Sequence, residues 1–405
     1  MNVTILRKLR FAAGLSLLFY GLSASALIIA TDPAPPADPH TTGNVLPANP
    51  PTNPAFSTAP WQYVARYGAH SAVYIGHGFL LTSMAAGFPN GPDEVLLNGS
   101  TYTLDSTVGG LQVGGSDLLL VKLLEPWPAM APLPLTHLAD TDLSKSSLLS
   151  GWGVSKGAVS GTGWLWADDS TRDWRWGAVT TASTEFNLSA GFPTIGIATV
   201  FRNFVSNSPA FTRGDAGSGL FIKYGDVWKL AGINLFADRV DLSQHLDKNY
   251  SASLKHYSHL LRLDAWKFKY LGTTEAPDSD DYDQDGLANI LEYTCNSDPA
   301  DPRSTGRPEC EFIPGEPASV AIRYTQRISA TDVKLRVFES PDLTQWNDAS
   351  VTIETIPGGA GSDPLVVQKR AIRVLAPGET RLFLRLEAQP LAAPLPAASA
   401  APSIR

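Results

Sequence analysis

Four carboxylates, two amides and a glycine fall within twelve residues of this chain: Asp281-Tyr282-Asp283-Gln284-Asp285-Gly286-Leu287-Ala288-Asn289-Ile290-Leu291-Glu292. Asp281, Asp283 and Asp285 place oxygens at positions one, three and five. Gly286 permits a sharp turn at six, and Leu287 offers its backbone carbonyl at seven. Asn289 stands at nine, and Glu292 can close the cage at twelve with two oxygens. Hard oxygen donors in this order suit calcium. A merely solvated acidic loop would carry the charge without the order of positions.

A second constellation is Phe211-Thr212-Arg213-Gly214-Asp215-Ala216-Gly217-Ser218-Gly219-Leu220-Phe221. Glycines at 214, 217 and 219 allow an unusual backbone around one exchangeable position, residue 216. Four other segments precede or follow it in a fixed order: Gly78 to Gly87, Ser116 to Leu123, Leu149-Ser150-Gly151-Trp152-Gly153, and Trp228-Lys229-Leu230-Ala231-Gly232-Ile233.

The surrounding elements are strands. With 405 residues the chain should form two or three domains, and 43% hydrophobic residues allow packed cores. High glycine and proline contents (34 and 31) favour strands and turns over a helical bundle. From Trp61 to about residue 240, short apolar runs such as Ala72-Val73-Tyr74-Ile75 and Leu118-Leu119-Leu120-Val121 alternate with turn residues. Ser258 to Gly272 has helical spacing, with Gly272 as its stop. Ser319 to Ala388 returns to strand-like alternation, as in Val333-Lys334-Leu335-Arg336-Val337. The net charge of −8 argues against nucleic acid as a partner.

The chain starts with Arg7, Lys8 and Arg10, then an apolar run from Phe11, then Ala24-Ser25-Ala26. This reads as a signal peptide over 1–26, so the protein is expected to be exported to the periplasm or the extracellular space. A membrane enters only if that segment stays uncleaved. The divisions that follow are a Pro-rich linker (27–60), a β domain with a closing helix (61–272), a calcium segment (275–300), a C-terminal β module (301–391) and a disordered Ala/Pro-rich tail (392–405).

The five ordered segments resemble the trypsin-like serine proteases (the chymotrypsin fold). The resemblance covers roughly residues 60 to 271. It implies a mainly β protein, with two six-stranded antiparallel barrels and an active site in the cleft between them. The catalytic aspartate position falls on Asp117, the histidine position on Ala85 and the serine position on Ala216. Alanine has neither a nucleophile nor a titratable proton, so two of the three roles are unfilled. Ser218 and Ser83 stand two residues from the lost positions, and His70 and His77 lie upstream as candidate relocated bases. The resemblance also implies that Gly214 and Ala216 keep the backbone N–H groups of an oxyanion hole. Ala210 would line an uncharged specificity pocket. No Ile-Val-Gly-Gly-like start stands near residue 60, so the family's salt bridge from a new N-terminus to Asp215 has no evident donor.

Further expectations concern smaller groups. Trp164 and Trp166, and Trp174 and Trp176, are each spaced to share one strand face, with Asp168 to Asp173 as a hairpin turn between them. They serve either as packing or as an aromatic platform. The calcium segment is similar to one found before C-terminal β modules of exported bacterial proteins, here a β-sandwich-like unit, where calcium would order the inter-domain joint. Cys295 and Cys310 enclose fourteen residues and could bridge in an oxidising compartment. The resulting expectation is a catalytically inactive protease homologue that binds a peptide or protein ligand. The alternatives are an active endopeptidase with a rearranged site, or a surface-attachment protein whose C-terminal module carries the function.

Overall fold

The computed structural model describes residues 28–29, 58–87, 94–140, 145, 147–179, 186–188, 191–205, 208–304, 306–357, 365–379 and 381–391. The expected signal peptide, the tail 392–405 and most of the linker 27–60 lie outside them. Among the described residues the chain is mainly β, with several antiparallel sheets and two α-helices. No helix there is long and apolar enough to cross a membrane.

Ile28–Ile29 forms a short strand, β1, antiparallel to Pro209–Ala210. Two residues carry too little pattern for strand pairing to be read from sequence.

The first large sheet uses β2 (Val64–Tyr67), β3 (His70–Gly76), β4 (Phe79–Ser83), β5 (Glu94–Leu97), β6 (Ser100–Thr103), β7 (Gly110–Gln112) and β8 (Leu118–Lys122). Its order is β6-β5-β2-β3-β4-β8-β7. It curls into a half-barrel: just past β6 and β8, Leu104 bridges Leu123, and the Leu124 N–H donates to the Thr103 carbonyl at 2.9 Å. β3, β4 and β8 are buried along most of their length, which explains why they read as continuous apolar runs.

Next come β9 (Ser147–Gly153), β10 (Lys156–Ser160), β11 (Gly163–Trp166), β12 (Asp173–Val179), β13 (Phe186–Leu188), β14 (Thr194–Val200), β15 (Pro209–Ala210), β16 (Gly219–Tyr224), β17 (Val227–Ala237), β18 (Leu242–Ser243) and β19 (Lys248–Ser253). The second large sheet has the order β12-β9-β16-β17-β19-β14-β13. One cluster of buried side chains spans both sheets, including Val73, Leu80 and Leu120 from the first and Leu148, Leu230 and Ile233 from the second.

The tryptophan hairpin does not form. β11 pairs with β10 and β18, whereas β12 pairs with β9. Asp168 instead caps a 3-10 turn, accepting from the Ser170 N–H at 2.9 Å. Trp174 packs on Trp152 of β9 (centroids 5.2 Å apart) and Trp176 on Trp61 (5.7 Å). Alternate spacing set the face of each strand but not its partner.

The expected helix 258–272 is two elements. A 3-10 turn (Ser258–Leu260) leads to α1 (Leu263–Leu271), which ends at Gly272. The acidic loop follows, then α2 (Asn289–Cys295). The C-terminal module contains β20 (Glu309–Ile313), β21 (Ser319–Arg327), β22 (Val333–Ser340), β23 (Asn347–Asp348), β24 (Thr352–Ile356), β25 (Val366–Val374) and β26 (Phe383–Pro390). These form one sheet of order β20-β21-β25-β24 and another of order β23-β22-β26. Ile322, Tyr324 and Ala371 of the first share a core with Val337 and Leu386 of the second, and Cys295 of α2 joins them.

Candidate functional site

The loop 212–219 sits where the two large sheets meet. Ser71, second residue of β3, holds it from the first sheet. The Ser71 N–H donates to the Ala216 carbonyl at 3.1 Å, and its Oγ donates to the Gly214 carbonyl at 3.0 Å. The same Oγ accepts from the Trp152 N–H at 3.0 Å. Gly217 (φ 90°) must be glycine here, because a Cβ would lie 2.0 Å from the Ser71 carbonyl oxygen and 2.1 Å from Thr82 Oγ1.

Ala85 is exposed in a 3-10 turn, Met84–Ala86, that continues β4. Asp117 lies directly before β8 and reaches this turn: its Oδ1 accepts from the Met84 N–H at 3.1 Å. Its own N–H donates to Thr194 Oγ1 at 2.9 Å, tying it to β14. Burial pushes the Asp117 carboxyl up to about 7, against the lowering effect of the Met84 N–H. Asp117 and the turn that carries Ala85 are therefore neighbours. Ala216 stands across from them through Ser71 and Thr82, which hydrogen-bond each other (Thr82 Oγ1 to the Ser71 carbonyl, 2.7 Å). Ala216 itself is 1% exposed.

The nearby hydroxyls are committed or misplaced. Ser218 is fully buried; its Oγ donates to the Asp215 carbonyl at 2.6 Å and accepts from Asn234 Nδ2 at 2.7 Å. Asn234 Oδ1 in turn accepts from Ser251 Oγ at 2.8 Å. Ser83 is fully buried, with its Oγ unpartnered, at the end of β4. His77 occupies the turn after β3 (φ 52°), at the end of that strand away from Ser71. His70 opens β3, and burial plus the Arg172 guanidinium hold its imidazole down to about 4. Neither histidine meets a hydroxyl at the positions the sequence singled out. Asp215 is fully buried; burial raises its carboxyl well above the usual range, opposed by Arg175 and Arg172. Its Oδ2 accepts from the Thr212 N–H at 3.2 Å, while Oδ1 is unpartnered. Ala210 is 2% exposed and packs with Val154, Phe201 and Trp166, so it belongs to a core cluster.

In the acidic loop, Asp281, Asp283 and Asp285 each bring one carboxylate oxygen within 4.8 Å of the others. Asp281 Oδ1 accepts from the Asp285 N–H (3.0 Å) and Oδ2 from the Gly286 N–H (2.7 Å). Gly286, at φ 94°, turns the chain as position six requires. Glu292 sits on α2, completely buried, with neither carboxylate oxygen hydrogen-bonded. Burial first, then Asp283, Asp285 and Asp281, push its carboxyl up to about 8. Asn289 is 1% exposed with Oδ1 unpartnered, and Asp283 Oδ2 is unpartnered too. Buried polar atoms are rarely left without a partner. Here the unpartnered oxygens belong to loop positions three, nine and twelve. That donor set fits a hard cation, for which Asp281, Asp283, Asp285, the Leu287 carbonyl, Asn289 and Glu292 would be the ligands. Unlike a helix–loop–helix, the loop has only its exit helix directly attached, since α1 ends at Leu271.

The two cysteines are not bonded. Cys295 is buried in the core between the C-terminal sheets, whereas Cys310 is exposed on edge strand β20. Even spacing in sequence said nothing about this difference in environment. Sequence reasoning also missed Ser71, Thr82 and Asn234, which brace the loop, since isolated polar residues within strands carry no motif. No family model matches this chain, and no curated protein sequence does.

Proposed function

We propose that this is an exported, catalytically inactive homologue of the trypsin-like proteases, with residues 61–272 as two six-stranded barrels acting as a scaffold for a peptide or protein ligand. The strand orders support the fold. Count β6 with β7, and β12 with β13, which run in the same direction, as two parts of one strand each, and number the six strands of each large sheet along the chain. The first sheet then joins 5-4-1-2-3-6-5 and the second 2-1-4-5-6-3-2. Both trace one ring, 1-2-3-6-5-4, entered at different places. Two copies of one barrel would produce this pattern.

The observation that carries the loss of catalysis is the state of Ser218. Its position two residues from Ala216 invites it as a substitute nucleophile, yet it is buried and both its hydrogen-bonding roles are spent on Asp215 and Asn234. Activating it would require breaking that network and supplying a base. Calcium in the acidic loop would hold the joint between the barrels and the C-terminal module, because α2 packs on both α1 and the C-terminal sheets. The chemistry calcium supplies is charge neutralisation and oxygen cross-linking, with no part in catalysis.

The test is peptide and casein hydrolysis by the purified mature chain with calcium, beside the Ala85→His/Ala216→Ser double variant. The expected result is a silent natural protein and measurable cleavage by the variant. Cleavage by the natural protein, with labelling by a serine-directed fluorophosphonate, would overturn the reading.

A further inference from the structure

Arg307 lies outside the twelve-residue loop, on the stretch leading into β20. Its Nη2 is 3.0 Å and its Nε 3.1 Å from Asp285 Oδ2, and Nη2 also donates to the Asp285 carbonyl oxygen. The Asp285 side chain is fully buried in this arrangement, while Arg307 remains half exposed. Asp285 Oδ1 accepts from the Leu287 N–H at 2.7 Å. Loop position five is therefore gripped at both carboxylate oxygens by groups of the chain itself. The oxygens left unpartnered belong to Asp283, Asn289 and Glu292.

Like charges packed this closely repel, and a planar guanidinium fork is well suited to offset them at a carboxylate. We propose that Arg307 is a tethered cation that keeps the acidic loop, and the joint built on it, folded when calcium is absent. The inference rests on the calcium reading above. Calcium would bring two positive charges into the same cluster, so the share contributed by Arg307 is larger in the metal-free chain than in the loaded one. By linkage, removing Arg307 enlarges the stabilisation that calcium provides. The contact also ties the loop to the stretch just before β20, a second hold on the C-terminal module beside that of α2.

The test uses the full mature chain as wild type, Arg307→Ala and Arg307→Lys. Calcium binding is read by titration calorimetry, and cleavage within 273–308 by proteinase K is timed in calcium and in EGTA. In EGTA, Arg307→Ala should be cut about tenfold faster than wild type, the loss expected of a charge-assisted pair. In calcium the two should be cut at similar rates, and the calcium-induced rise in Tm should be larger for the variant. Arg307→Lys should fall between, since it keeps the charge and loses the fork. Should Arg307→Ala not fold, Arg307→Lys carries the same comparison. Normal calcium binding with no change in EGTA cleavage would overturn the role of Arg307. Absence of calcium binding by the wild type would overturn the calcium reading, and the inference with it.

Discussion

The hydroxyl of Tyr293 on α2 donates to Oδ1 of Asp332 at 3.0 Å, and the other oxygen of Asp332 accepts from the Leu263 N–H at the start of α1 (2.8 Å). A single carboxylate from the C-terminal module thus holds both helices. The neighbouring Thr331 donates to the Leu261 carbonyl (2.7 Å), and Arg262 reaches both Thr331 Oγ1 (3.1 Å) and the Ile75 carbonyl of β3. The joint is a satisfied, buried polar network, and it begins one residue after Glu292.

Tyr293→Phe should therefore destabilise the folded chain by about 1–3 kcal/mol, because it leaves a buried carboxylate oxygen without its donor. Urea unfolding at fixed calcium measures this. Unchanged stability would mean that Asp332 is satisfied without the tyrosine.

Glu292→Gln tests the acidic loop. The wild type should gain about 2.7 kcal/mol of stability at a calcium concentration one hundred times its dissociation constant. The variant lacks the two-oxygen ligand at position twelve and should lose most of that gain. Thermal unfolding with and without calcium provides the readout, and an undiminished calcium shift in the variant would exclude Glu292 as a ligand.

Asp117 gives a pH prediction. Its carboxyl titrates near 7 in the folded chain against 3.8 for the free group, because of burial. The folded state therefore holds the proton more tightly than the unfolded one. The stabilisation from that proton is complete below the unfolded value and is lost as pH rises through about 7. Asp117→Asn removes the titration. The stability difference, variant minus wild type, should increase between pH 4 and 7 by at most ~4 kcal/mol. Parallel unfolding curves for the two proteins across that range would show that Asp117 is solvated.

Strand character was legible in the sequence because buried strands such as β4 and β8 are nearly uninterrupted apolar runs. Glycine periodicity likewise marked the 212–219 loop, and the spacing of Asp281, Asp283 and Asp285 marked residues that do lie together. Pairing was less legible. Trp164 and Trp174 showed which face they occupy, but the choice between β18 and β9 as partner depends on residues about 80 and 20 positions away, Ser243 and Trp152. The joint was illegible for the same reason. Asp332 and Arg307 are ordinary surface-type residues until the chain folds them against Tyr293 and Asp285, and local pattern cannot encode a contact made at that separation.

The strand β1 has a consequence for engineering. Ile28–Ile29 is fixed on Pro209–Ala210, and Thr58 Oγ1 accepts from the Trp228 indole N–H at 3.3 Å. Ile28–Ile29 and Thr58 are thus both fastened to the same β domain. Lengthening a connection between two fixed points costs only about 0.6 kcal/mol per doubling. A reporter domain or epitope placed between residues 30 and 57 should therefore ride on the folded protein without separating its parts.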